Sequence, residues 1–302
     1  MTEQSLLTSL DALTALRAAT RQRRLASVRQ LLARQGGSHK VIRKGRGMEF
    51  AESRAYQPGD EVRLIDWKLT ARTGKPHTKV FHEAHEQPLV LAIDQTGATC
   101  FASRRQLKAS LGLKAAAALG WTALHQGEQV GGLVFSGHTH AVIPPGRGER
   151  PLLSLFHQAL RLHEALRPAP RQPQPWQRAL DELTTLAPAG ARIILVGDLL
   201  APGPGALDRL AQLRRRHSLL ALHLFDPLEA SLPDLGAVRL QWGDTELNLD
   251  LHDRKVRQNY ALAYARQWQQ VRERLLGLRI PAFSLSTHEE ALDQLLEDGV
   301  LR

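Results

Sequence analysis

Apolar positions change period along this chain, and the change divides it. From Leu6 to Leu32 they fall at Leu6, Leu10, Leu13, Leu16, Leu25, Val28 and Leu32, mostly three or four apart with arginines between them. This is the spacing of one or two amphipathic helices. Gly36 and Gly37 end the pattern, because glycine accepts the left-handed conformation that follows a helix. Residues 38–87 have another texture: charged and glycine-containing, with short β-like runs, a turn signal at Pro58-Gly59 and a loop from Arg72 to Pro76. They predict a small β-rich insertion. From Pro88 onward apolar runs alternate with longer helical stretches, the sequence form of a mostly parallel sheet covered on both faces.

The predicted strands are Leu89 to Asp94, Gln129 to Ser136, Arg192 to Asp198, Ser218 to Phe225 and Ala282 to Leu285. Helices fit Arg104 to His125, Glu149 to Leu166, Pro175 to Ala187, Gly203 to Arg216, Asp253 to Leu276 and His288 to Leu296. The alternation implies an α/β, Rossmann-like domain over 88–302, preceded by the insertion at 38–87 and a helical segment at 1–37. Four prolines between Pro168 and Pro175 suit an extended surface connection. Around a Gly243-Asp244 turn, Leu240 would face Leu247 and Val238 would face Leu249, a hairpin expected to extend the edge of the sheet. In the helix that follows, Val256, Tyr260, Tyr264, Trp268, Val271 and Leu275 trace one stripe.

Composition narrows the setting. With 302 residues, 43% of them hydrophobic, the chain can bury one large core. The single cysteine, Cys100, leaves no internal disulfide and no multi-cysteine zinc site. The opening residues carry Glu3 and lack a basic leader with an apolar run, so a cytoplasmic protein is expected. Lys and Arg number 40 against 30 acids, and most of the +10 excess lies in the first fifty residues, where ten basic side chains meet three acidic ones. That cluster invites an acidic partner, nucleic acid or anionic lipid, but no aromatic residue for base stacking precedes Phe50. A solvated helix face explains it as well.

One stretch is more specific. Gly45-Arg46-Gly47-Met48-Glu49-Phe50, then Arg54-Ala55-Tyr56-Gln57-Pro58-Gly59-Asp60-Glu61-Val62-Arg63-Leu64-Ile65-Asp66-Trp67, then Thr70-Ala71-Arg72 resembles the signature of domain of unknown function family 58 (DUF58). A strand ending in Asp94 and, later, Gly131-Gly132-Leu133-Val134-Phe135-Ser136 continue the resemblance. It implies a von Willebrand factor A-like fold and association with MoxR-type AAA+ ATPases in chaperone-like assembly or maturation of other proteins. On the residues alone, Arg54, Tyr56, Gly59, Asp60, Arg63, Asp66, Trp67 and Arg72 read either as a network of Arg–carboxylate pairs that holds the insertion together or as a charged docking surface.

Domains of the von Willebrand factor A type often end their first strand in Asp-x-Ser-x-Ser and hold Mg²⁺ there, helped by a threonine and an aspartate from later loops. Here the matching segment is Asp94-Gln95-Thr96-Gly97-Ala98. Thr96 offers an equivalent hydroxyl, Ala98 offers none, Asp198 is placed to be the later aspartate, and no threonine is identifiable near Pro144 to Gly148. A degenerate Mg²⁺ site of Asp94, Thr96 and Asp198 is therefore one expectation. Carboxylates that cap helices or bond backbone at the sheet edge are the other. His138 and His140 could share one strand face and hold zinc, or sit at an exposed hairpin tip. The chain lacks a phosphate-binding Gly-x-x-x-x-Gly-Lys-Ser/Thr loop, a serine nucleophile elbow and His-Glu-x-x-His, so a non-enzymatic interaction protein is the first reading. A metal-dependent hydrolase using Asp94 and Asp198, and a binder of nucleic acid or acidic lipid through the N-terminal arginines, are the alternatives.

Overall fold

The computed structural model describes residues 7–35, 48–57, 60, 64–83, 87–203, 205–242 and 245–302. The expected helix stop at Gly36-Gly37 and the turns at Pro58-Gly59 and Gly243-Asp244 lie outside the described residues, as do the signature positions Gly59 and Arg63. The chain divides into two compact units, residues 1–38 with 87–302, and residues 39–86.

The larger unit opens with α1 (Leu10–Ala19) and α2 (Val28–Gln35). Ser9 caps α1 by accepting the Ala12 N–H at 3.2 Å. These helices belong to the main core: Leu13 and Leu31 are buried in it, and the Leu13 carbonyl accepts the Trp121 indole N–H at 2.9 Å. The smaller unit is β1 (Met48–Ala55), α3 (Trp67–Thr73) and β2 (His77–Glu83), with β1 and β2 antiparallel and an irregularity between Phe50 and Glu52.

After it come β3 (Leu89–Asp94), α4 (Lys108–His125), β4 (Val130–Phe135), β5 (His140–Gly146), α5 (Glu149–Glu164), α6 (Pro173–Leu186), β6 (Arg192–Gly197), α7 (Ala206–Arg214), β7 (Ser218–Phe225) and α8 (Pro227–Ala230). The chain closes with β8 (Ala237–Trp242), β9 (Thr245–Asp250), α9 (Arg254–Gly277), β10 (Ala282–Ser286) and α10 (Ala291–Glu297). Six strands form one sheet in the order β10-β7-β6-β3-β4-β5, all parallel except the β4–β5 pair. The α/β architecture with a mostly parallel central sheet is thus as expected from the alternation, and each of the five expected strands is present within two residues of its bounds.

Side-chain alternation explains why β3 is apolar throughout. Leu89, Leu91 and Ile93 enter a core shared with α1, α4 and α5, while Val90 and Ala92 enter a second core with α6, α7 and the end of α9. A strand buried on both faces has no polar side to show. Close approach is enforced at Gly132, where a Cβ would stand 2.3 Å from the Leu91 carbonyl oxygen.

One expectation needs correction. The 238–250 hairpin pairs in the anticipated register, Val238 opposite Leu249 and Leu240 opposite Leu247, but β8 and β9 make a separate two-stranded sheet instead of lengthening the large one. The large sheet ends at β10 on one side and β5 on the other. β5 carries Pro144 and Pro145 at a register irregularity opposite Val130–Gly132, where an edge strand tolerates the missing donors.

Strand order places the functional rim. From β3 the chain moves to β4 on one side, and it returns later to place β6 on the other. The carboxyl ends of β3 and β6 therefore flank the switch point, where open α/β sheets leave a crevice.

Candidate functional site

Asp94 ends β3 and Asp198 follows β6. The parallel register sets Ile93 beside Val196, so the two aspartates meet, and the Asp198 N–H donates to Asp94 Oδ2 at 3.1 Å. Both are completely buried. The other oxygen, Asp94 Oδ1, accepts the Thr96 N–H at 2.8 Å. Burial nevertheless dominates at Asp94 and pushes its carboxyl up to about 6.

Asp198 is held differently. Its Oδ2 accepts from the Lys108 ammonium at 3.1 Å and from Arg171 Nε at 2.8 Å. The same two cations reach Glu229 Oε1, Lys108 at 2.8 Å and Arg171 Nη2 at 3.1 Å. Burial opposes ionisation of Asp198, but the Lys108 and Arg171 charges outweigh it and hold the group below the ordinary carboxylate range. Two cations and two carboxylates thus close on one another beneath the rim.

Local sequence explains how each arrives. Lys108 is the first residue of α4, Arg171 rides on the proline-rich connection, and Glu229 is fixed by a capping box at α8. In that box Asp226 caps the helix, and Glu229 Oε2 accepts the Asp226 N–H at 3.0 Å. Next to them His223 Nδ1 accepts the Leu199 N–H at 3.2 Å, so the proton sits on Nε2, which faces the Tyr264 hydroxyl at 3.2 Å. Burial pushes this imidazole down to about 4, and it stacks on Trp268 with ring centres 4.4 Å apart.

The fold brings together Asp94, Thr96 and Asp198, the three residues expected at the rim. Lys108, Arg171, Glu229 and His223, which are not among the candidates from the sequence, join them. Two signals were available: Asp226-Pro227-Leu228-Glu229 has capping-box spacing directly after a strand, and a lysine opening an apolar helix violates the helix-dipole preference.

Mg²⁺ requires an octahedron of oxygens at about 2.1 Å. Asp198 Oδ2 is engaged by two cations, both Asp94 oxygens accept backbone N–H groups, and Ala98 supplies no side-chain oxygen. The Thr96 hydroxyl is buried beside Asp94 without a well-formed hydrogen bond, a single uncommitted oxygen. Among the described residues no group of three or more His, Cys, Asp and Glu is placed to hold a metal ion. This donor set does not fit a resident Mg²⁺. Nor can the two aspartates themselves touch a partner, since neither reaches solvent.

A second polar cluster lies under α4. Ser110 Oγ is 3.0 Å from His163 Nε2, and His163 Nδ1 is 2.9 Å from Gln95 Oε1. In an open cleft these types would serve as nucleophile, base and orienting group. Here Ser110 and His163 are 1% and 2% exposed. Cavities of about 310 and 240 Å³ are lined by other residues. Burial pushes the His163 imidazole down to about 4.

In the smaller unit the signature residues separate into two roles. Arg54 forms a two-pronged pair with Asp60, at 2.9 and 2.7 Å, and Asp60 Oδ2 also accepts the Gln57 N–H. Asp66 caps α3 by accepting the Leu69 N–H at 3.2 Å, and its own N–H donates to the His77 carbonyl at 2.7 Å. Tyr56 is half-buried, and its N–H donates to the Pro76 carbonyl. These contacts fix the fold of the unit. Trp67 and Arg72 point outward, Trp67 with 66% of its surface exposed.

The remaining candidates are dispersed. His138 is in a turn and His140 begins β5, facing Glu182 at 3.6 Å, so the two imidazoles do not share a strand face. Arg17 of the basic N-terminal segment pairs with Glu149 and lies over the Trp121 ring at 5.5 Å. Cys100 is half-buried, and burial raises its thiol. No helix among the described residues is long and apolar enough to cross a membrane.

Residues 52–270 match the family described as protein of unknown function DUF58. The chain belongs to the DUF58 family. This DUF58 protein is 29% identical over 268 residues to the uncharacterized protein Rv1480 of Mycobacterium tuberculosis (strain H37Rv), which covers 86% of the chain and 81% of that relative. The uncharacterized protein Mb1516 of Mycobacterium bovis is similar to the same extent. A crystal structure of the conserved hypothetical protein BatB from Bacteroides thetaiotaomicron aligns with 71% of the DUF58 chain and 96% of its own, at 15% identity and a TM-score of 0.40.

Proposed function

We propose that this DUF58 protein is a non-catalytic interaction module that engages a protein partner through the signature face of its smaller unit. One observation carries the reading: Trp67, a large aromatic side chain on the first turn of α3, is 66% exposed. Tryptophan and arginine are the side chains most enriched among residues that dominate binding energies. Lys68, Arg72 and Lys75 are exposed near it in sequence, which suits a partner with an acidic surface. The polar groups of the larger unit that could do chemistry, Asp94, Asp198, Ser110 and His163, are sealed from solvent. That supports binding over catalysis.

The resemblance of the signature and of Asp94-Gln95-Thr96 to von Willebrand factor A-like members of the family favours a MoxR-type AAA+ ATPase as the partner, in assembly or maturation of other proteins. The test is co-purification with such an ATPase from the same source, plus its hydrolysis rate with and without this protein. Trp67→Ala and Arg72→Glu should abolish the association while leaving the thermal midpoint unchanged. Association that survives both substitutions would remove this face from consideration, and no association in any nucleotide state would remove the ATPase.

A further inference from the structure

Lys108 breaks a local rule. It is the first residue of an 18-residue helix whose N-cap, Leu107, offers no side-chain bond. A cation at that end is opposed by the helix dipole, and burying an ammonium completely costs several kcal/mol more unless it is paired. Where a side chain is wrong for its own helix, a tertiary partner has to account for it. The partners here are Asp198 Oδ2 at 3.1 Å and Glu229 Oε1 at 2.8 Å, two carboxylate oxygens, one from just past the end of β6 and one from α8, that converge on one nitrogen.

We propose that Lys108 is a built-in cation for the rim of the sheet: its ammonium fills the point on which Asp198 and Glu229 converge, so the rim is charge-complete without a metal, and removing the ammonium uncovers a divalent-cation site made by those two carboxylates. The chemistry of the exchange is direct. An ammonium donates hydrogen bonds to the same hard oxygens that Mg²⁺ or Mn²⁺ would ligate, and it cannot dissociate because α4 carries it. Arg171, a quarter exposed, bridges the same oxygens from the solvent side and further repels an incoming cation. This inference concerns the larger unit and is independent of the Trp67 reading.

The experiment is Mn²⁺ binding to the full chain, followed by the electron paramagnetic resonance signal of free Mn²⁺. Wild type should show no Asp198-dependent binding. Lys108→Met should bind at least about tenfold more tightly than wild type, because one positive charge has left a buried anionic pair, and adding Asp198→Asn to it should abolish the gain. Wild-type binding that Asp198→Asn removes would overturn the proposal, as would a Lys108→Met protein that binds no better than wild type. Should Lys108→Met fail to fold, it is refolded from urea with Mn²⁺ or with a chelator: recovery with Mn²⁺ supports the built-in cation, and equal failure in both overturns it.

Discussion

Lys108 and Asp198 are 90 positions apart in sequence, yet their charged ends meet at 3.1 Å with neither side chain exposed. Removing one member of such a pair strands the other charge in the core. Lys108→Ala is expected to cost about 3–5 kcal/mol. Replacing both, as Lys108→Met with Asp198→Asn, should cost clearly less than the sum of the single changes, because no unpaired charge remains. Arg171→Ala should cost less than Lys108→Ala, since solvent reaches its site. Urea unfolding of wild type, Lys108→Met, Asp198→Asn and the double variant gives the cycle, and strictly additive losses would contradict the coupling.

Gly197 is required by the approach of β3 to β6. A Cβ there would stand 2.3 Å from Asp94 Cβ and 2.7 Å from Trp176 Cζ2, neither of which can retreat from the packed sheet. Gly197→Ala should therefore destabilise by about 1–3 kcal/mol or more. At Gly127 the space is open, but φ is +82°, so Gly127→Ala should lose only about 1 kcal/mol from backbone strain. Thermal midpoints of the two variants compare crowding with conformation directly.

His163 makes stability depend on pH in a definite direction. Its folded pKa, about 4, lies below the ordinary 6.5, so the unfolded chain takes up the proton first. The stability it contributes is present above 6.5 and is lost as pH falls toward 4. Asp94 acts oppositely: its folded value of about 6 lies above 3.8, so its contribution is present at low pH and lost as pH rises through 6. His163→Gln should remove the first effect and leave the second. Between pH 7 and 4 the stability of His163→Gln minus that of wild type should rise by about 3 kcal/mol, read from urea unfolding at several pH values. A constant difference would show that His163 is not the group responsible.

Neighbours in the signature should part company. Asp66→Ala removes the cap of α3 and is expected to cost about 1 kcal/mol, with faster amide exchange through that helix. Trp67→Ala, which alters an exposed side chain, should stay within about 0.5 kcal/mol of wild type. Comparable losses at the two positions would mean that Trp67 supports the fold of the smaller unit instead of facing a partner.

The sequence by itself determined the alternating elements of the larger unit, because burial on both faces of β3, β4, β6 and β7 forces apolar runs that no amphipathic surface strand would show. It also determined the register of the 238–250 hairpin, since apolar side chains on opposite strands must match. Asp94 and Asp198 could be placed at one rim for the same reason, each standing at the end of such a run. Tertiary structure decided what those carboxylates face. Lys108, Arg171 and Glu229 come from a helix start, a proline-rich connection and a four-residue helix, and no period or spacing along the chain relates them. Charge pairing acts through space over a few ångströms, so the local pattern can mark single members, Lys108 at a helix start and Glu229 in a capping box, without showing which groups meet, whereas burial of a whole strand marks each residue in it.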